Sequence, residues 1–164
     1  MRRLRHGLIH AGTGAYMTVG VGAGLAGWLT APPADFFIDP ALLAGALARI
    51  FLQNLLAIVL LVGSQLATRG IAGVLFLAAN GYRAGVLAEN VPMVLWWAAG
   101  EIVAASFAAG GGLVLSVAFW RWLMYERPVD PDVWPVAGRS LGVAVAVLAA
   151  AAVTEVLLPR WETR

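Results

Sequence analysis

Cysteine and lysine are both missing from this chain. Without cysteine there is no disulfide, no thiolate metal site and no thiol nucleophile, and the redox compartment is left open. Without lysine every one of the basic residues is arginine, and the net charge is only +2. The high isoelectric point therefore reflects arginine with little to balance it. It does not reflect a clustered basic face, which nucleic-acid binding would need, so that class of partner is set aside. Charge of either sign is scarce. Charged residues make up 12% of the chain and hydrophobic residues 61%, and 164 residues of this composition cannot coat a soluble globule with polar surface. The composition implies a membrane protein.

Signatures of catalysis are missing as well. The chain has no His-Glu-x-x-His, no Gly-x-Ser-x-Gly and no pair of intramembrane aspartates. Ser106 and Ser116 have no histidine or lysine within reach of a dyad, so bonds to their own helix backbone are expected of them. His6 and His10 stand four apart, the spacing of two ligands on one helix face, but no third ligand is near and they read as a solvated juxtamembrane pair. Gly110, Gly111 and Gly112 lie inside an apolar run and lack the Lys-Ser/Thr that completes a phosphate loop. No enzyme activity, cofactor or metal is expected.

What is present is a series of apolar runs. The first, from about Leu8 to Thr30, follows Arg2, Arg3 and Arg5. It is longer than the apolar region of a signal peptide, and Pro32-Pro33 stands where a cleavage site would be, so it reads as a retained helix. Others run from about Ala46 to Ala67, Ile71 to Ala88, Val94 to Phe119 and Val136 to Leu158. Between the first two, Pro32, Pro33, Asp35, Asp39 and Pro40 surround Phe36 and Phe37. This pattern suits an interfacial segment and forbids a spanning one. The connections are too short for linkers, so residues 1–164 form one domain. The fold class is all-α, a polytopic membrane bundle of about five transmembrane helices. Trp96 and Trp97 at one end of the fourth run, with Trp120, Trp122 and Tyr125 at the other, read as two aromatic belts.

Arginine placement sets the orientation. Arg2, Arg3, Arg5, Arg69, Arg121 and Arg127 fall on one side, whereas the first loop on the other side carries Asp35 and Asp39. The N-terminus is thus expected in the cytoplasm and the C-terminus outside the cell membrane.

Polar residues inside lipid-like helices are costly and need a partner or a task. Asn54, Asn80, Arg83 and Glu101 each lie about two turns from the outer end of their helices, and Glu155 about one turn from it. Five polar groups from four helices are expected to gather in the outer leaflet, with Arg83 and Glu101 in a direct ion pair. Such a cluster serves either as interhelical glue or as a site for a substrate, a lipid headgroup or a partner helix. Gly20 and Gly24, Gly81 and Gly85, and the triplet at Gly110, Gly111 and Gly112 allow helices to approach closely, and the triplet is a place where the fourth helix could kink.

The same residues carry a family resemblance. The order Phe-x-x-Asn-Leu (Phe51, Asn54, Leu55), Asn-Gly-x-x-x-Gly (Asn80, Gly81, Gly85), a buried Glu101 before a glycine-rich half-helix, and Glu155 just before Pro159 resembles the stage II sporulation protein M family, over about residues 46–159. That family commonly has Pro-His-Gly-x-x-Glu before its fourth helix. Here Trp96, Trp97 and Ala98 occupy the first three positions, so no role of that histidine carries over. The resemblance implies a non-enzymatic membrane protein that anchors partners, which in spore formers are cell-wall hydrolases acting in engulfment. Relatives in organisms that do not sporulate have proposed roles in secretion or immunity. Two functions follow as expectations: a scaffold for other membrane or cell-envelope proteins, or a small permease subunit working with a separate ATPase, as a homo-oligomer in one form. Membrane lipid is a partner in either case.

Overall fold

The computed structural model describes residues 2–31, 47–90 and 94–157, the side chains at 2–6, 8, 47, 89, 90, 94, 95 and 155–157 excepted. The described residues form five helices: α1 (Arg2–Thr30), α2 (Leu47–Thr68), α3 (Ile71–Asn90), α4 (Val94–Tyr125) and α5 (Val133–Leu157). The expected interfacial segment around Phe36 and Phe37 lies outside the described residues.

The helix ends have local causes. Between α2 and α3, Arg69 and Gly70 adopt positive φ (52° and 98°), which turns the chain back at once. The Thr68 hydroxyl accepts the Ala72 backbone N–H at 3.0 Å and so satisfies one of the free donors at the start of α3. The carbonyl of Leu66, in the last turn of α2, accepts the Trp120 indole N–H at 2.7 Å, and the Arg69 guanidinium lies 4.2 Å from that ring's centroid. Glu126, at φ 52°, ends α4. Asp130 opens α5 by accepting the Asp132 N–H on its carboxylate and the Val133 N–H on its carbonyl, both at 3.0 Å. Pro135 falls in the first turn of α5, where its missing N–H costs nothing. The helix therefore begins earlier than the apolar run alone indicates.

α4 is the hub. It is apolar all round because α1, α2, α3 and α5 all pack against it, and it runs unbroken through Gly110, Gly111 and Gly112. The triplet makes no break in the helix. Successive residues on a helix point about 100° apart, so each glycine faces a different neighbour. A Cβ on Gly110 would overlap the Thr13 hydroxyl of α1. One on Gly111 would stand 3.3 Å from the Ala137 carbonyl of α5, and one on Gly112 would stand 3.4 Å from Gln65 of α2.

α1 packs most closely on α3. Gly81 lies against the Gly20 carbonyl, Gly85 against the Gly24 carbonyl and Gly27 against the Tyr82 carbonyl, so near that a Cβ at any of the three would overlap backbone. Because residue numbers rise together along this seam, the two helices are parallel. Tyr16 to Gly70 (3.0 Å) and Thr30 to Tyr82 (3.1 Å) mark hydrogen bonds toward either end of it.

The surface is that of a lipid-solvated protein. Leu29 is 79% exposed, Leu75 65% and Leu60 63%, with Val21, Leu25, Leu52, Leu56 and Val59 also exposed around the same bundle. Four described helices, α2 to α5, are long and apolar enough to cross a membrane. α1 is long enough but too rich in glycine and threonine to match them in hydropathy. Gly20, Gly24 and Gly27 serve the seam with α3, and since α1 lies parallel to α3 from about Gly70 to Gly85, it shares that helix's depth. Trp96 is exposed as an aromatic belt requires, whereas Trp97 is buried beside Ala88 and Ala98 and belongs to the packing.

Candidate functional site

Asn54 and Glu101 each stand seven residues inside the first residue of α2 and α4, and Arg83 stands seven before the last residue of α3. At 1.5 Å per residue all three are about 10 Å from the same end of the bundle. α2 and α3 spring from one tight turn at the opposite end and pack on α4 more than on each other. Between them lies a cavity of about 490 Å³ with α4 as its floor.

This cavity gathers Asn54, Asn80, Arg83 and Glu101, four of the five expected members. The side chain of Glu155 lies outside the described residues. The internal wiring differs from expectation. Asn54 Nδ2 donates to Glu101 Oε1, and among the described residues Arg83 forms no ion pair with Glu101. The reason is position: Asn54, on the parallel helix α2, looks across at Glu101, while Arg83 and Asn80 lie on the exposed flank of α3. Asn80 Nδ2 bonds the Phe76 carbonyl of its own helix at 2.8 Å. Arg83 has no hydrogen-bond partner among the described residues. Gln53, exposed on the α2 rim, was not singled out from the sequence, although a second amide beside Asn54 in an apolar helix was the available signal.

The cavity is polar at one level only. Toward the middle of the bundle its wall is Ile58, Phe76, Leu77 and Ala105, with Leu148 of α5 behind, and Leu77 is fully buried. Beyond that, Leu61, Ala108 and Ala109 close the core.

A second polar node, also unforeseen, ties the other half together. Gln65 is fully buried: its Nε2 donates to the Ala109 carbonyl at 2.8 Å, and its Oε1 shares the Tyr16 hydroxyl proton (3.2 Å) with the Gly70 carbonyl. One amide thereby joins α1, α2, α4 and the α2–α3 turn. Ser140 Oγ donates to the Phe107 carbonyl at 2.7 Å and joins α5 to α4. Ser106 bonds the Ile102 carbonyl of its own helix at 2.7 Å as expected, but Ser116, expected to do the same, is buried with no hydrogen-bond partner among the described residues.

The expected packing glycines are assigned by contact: Gly20, Gly24, Gly81 and Gly85 join α1 to α3, and the triplet joins α4 to three neighbours. These seven glycines are consumed inside the bundle. No family model, curated protein or solved structure matches this chain.

Proposed function

We propose that this membrane protein is a non-enzymatic anchor that holds a membrane-embedded or envelope partner, in keeping with its resemblance to the stage II sporulation protein M family. The observation that carries the reading is the one-sided cavity. Its polar groups open sideways between α2 and α3 in one half of the bundle, and Leu77, Ala105 and Leu148 close it off from the other half. A permease needs a polar path that can be exposed alternately to both sides, commonly near the midplane and between repeated units. A binding site needs only one open side. Arg83, Asn80 and Gln53, turned outward, lie where a partner within the same leaflet would meet the protein. The arginine-rich end, with Arg69, Arg121 and Arg127, favours a cytoplasmic placement for that end and an outer-leaflet placement for the cavity.

Photocrosslinking from Gln53 in native membranes, followed by mass spectrometry, tests the reading. An adduct to a protein with an extracytoplasmic domain, lost when Arg83 is changed to Ala, supports the anchor. An adduct to a transport ATPase or its permease would replace it with the export reading.

A further inference from the structure

Arg83 is the one side chain in the cavity whose charge has no direct partner among the described residues, and it sits about 10 Å inside the end of α3. A guanidinium with five N–H donors is expensive at that depth unless anionic oxygens reach it. Across the cavity Glu101 offers the opposite charge. One of its oxygens is held by Asn54, and the carboxyl group, which has further acceptor capacity, lines the same space. Both side chains line the cavity without closing on each other, so the gap between them is polar at both walls, with a guanidinium on one and a carboxyl group on the other. Gln53 and Asn80 stand at its open rim, and the apolar wall of Ile58, Phe76 and Leu77 continues from it toward the bundle centre.

We infer that this gap is a seat for the headgroup of a zwitterionic phospholipid bearing a primary ammonium, phosphatidylethanolamine in chemical class. The phosphate takes the Arg83 guanidinium, the ammonium donates to Glu101, and an acyl chain follows the apolar wall. The inference goes beyond the anchor reading and does not depend on which protein, if any, is held.

Three features select this occupant. A cavity of about 490 Å³ admits a headgroup with the start of its chains but not a whole helix, whose diameter is about 10 Å. A purely anionic headgroup would satisfy Arg83 and set a second negative charge beside Glu101. A choline headgroup satisfies the charges but has no N–H to donate to the carboxylate, and so forfeits a charge-assisted hydrogen bond.

The test is native mass spectrometry of the purified full chain, delipidated and then exchanged into mixed micelles with equal amounts of phosphatidylethanolamine, phosphatidylcholine and phosphatidylglycerol. The expected result is one retained phosphatidylethanolamine, favoured over each competitor by about tenfold, the factor that about 1.4 kcal/mol of differential binding gives. Glu101→Gln, whose amide can still bond Asn54, should abolish the preference over phosphatidylcholine and phosphatidylglycerol. Arg83→Gln, at an exposed position that burdens folding little, should abolish retention altogether. Equal retention of all three lipids, or a preference unchanged in Glu101→Gln, would overturn the assignment. Because the anchor reading is scored by a protein adduct and this one by a lipid adduct, either can fail without the other.

Discussion

The contact between Asn54 and Glu101 is a neutral donor meeting a carboxylate, and it replaces the ion pair that the depths of Arg83 and Glu101 invited. Hydrogen bonds between membrane helices are worth about 0.6 to 2 kcal/mol, because the separated helices find other partners in the bilayer. A double-mutant cycle on Asn54→Ala and Glu101→Ala, read by unfolding in mixed micelles, should therefore give a coupling of about 1 kcal/mol. The cycle on Arg83 and Glu101 should give a smaller one. Exchanging the two charges, Arg83→Glu with Glu101→Arg, should not restore stability, since the second substitution also removes the acceptor used by Asn54. Full rescue by the exchange would show that the pair closes after all. Asn54, Arg83 and Glu101 were all visible in the sequence as misfits in apolar helices. Which of them bond was not, because depth fixes height along a helix and leaves the direction of the side chain free.

At the scale of elements, glycines divide into those packed against another helix and those that face open space outside the bundle. Gly85 meets the Gly24 carbonyl and the Trp28 amide, whereas a Cβ on Gly22 would meet nothing within 4 Å. Gly85→Val should force α1 away from α3 and destabilise the bundle by about 1 to 3 kcal/mol. Gly22→Ala should be neutral or stabilising by up to about 1 kcal/mol, since alanine is the better helix former. Thermal unfolding in one detergent compares the two, and equal losses would contradict the assigned seam. A second prediction concerns the α2–α3 turn. Trp120→Phe keeps an aromatic ring under Arg69 but removes the indole N–H from the Leu66 carbonyl, so a loss of about 1 kcal/mol is expected. If the loss instead matches that of Trp120→Ala, ring packing rather than the hydrogen bond holds the turn. The spacing of four between glycines announced close packing, but their partners are on helices about 60 residues away in the chain, a separation no local pattern reports.

For the whole molecule, the parallel seam of α1 and α3 and the antiparallel packing of α4 on α5 put the start of α1, the α2–α3 turn and the α4–α5 connection at one end. The absence of cysteine makes this directly measurable. Single cysteines at Gly7, Arg69 and Glu126 should all react with a membrane-impermeant maleimide from one side, and one at Thr30 from the other. The arginine distribution makes the first side cytoplasmic. Labelling of Gly7→Cys from the side opposite Arg69→Cys would mean that α1 does not cross with α3.

Composition determined that this is a membrane protein, because a chain this apolar has only the bilayer as a solvent, and continuous apolar runs of about 20 residues, without the alternation of barrel strands, determined that it is helical. The five described helices, the tight α2–α3 turn and the gathering of Asn54, Asn80, Arg83 and Glu101 at one depth were likewise readable from one dimension, since length and rise per residue set height. Only the tertiary structure decided that Asn54 takes Glu101, that Arg83 is left facing an open groove, that Trp97 is core, and that one fully buried glutamine joins three helices to the α2–α3 turn. Those outcomes depend on how each helix is rotated about its own axis. In a bundle apolar nearly all round, no hydrophobic stripe specifies that rotation, and close contacts at glycines such as Gly85 set it instead.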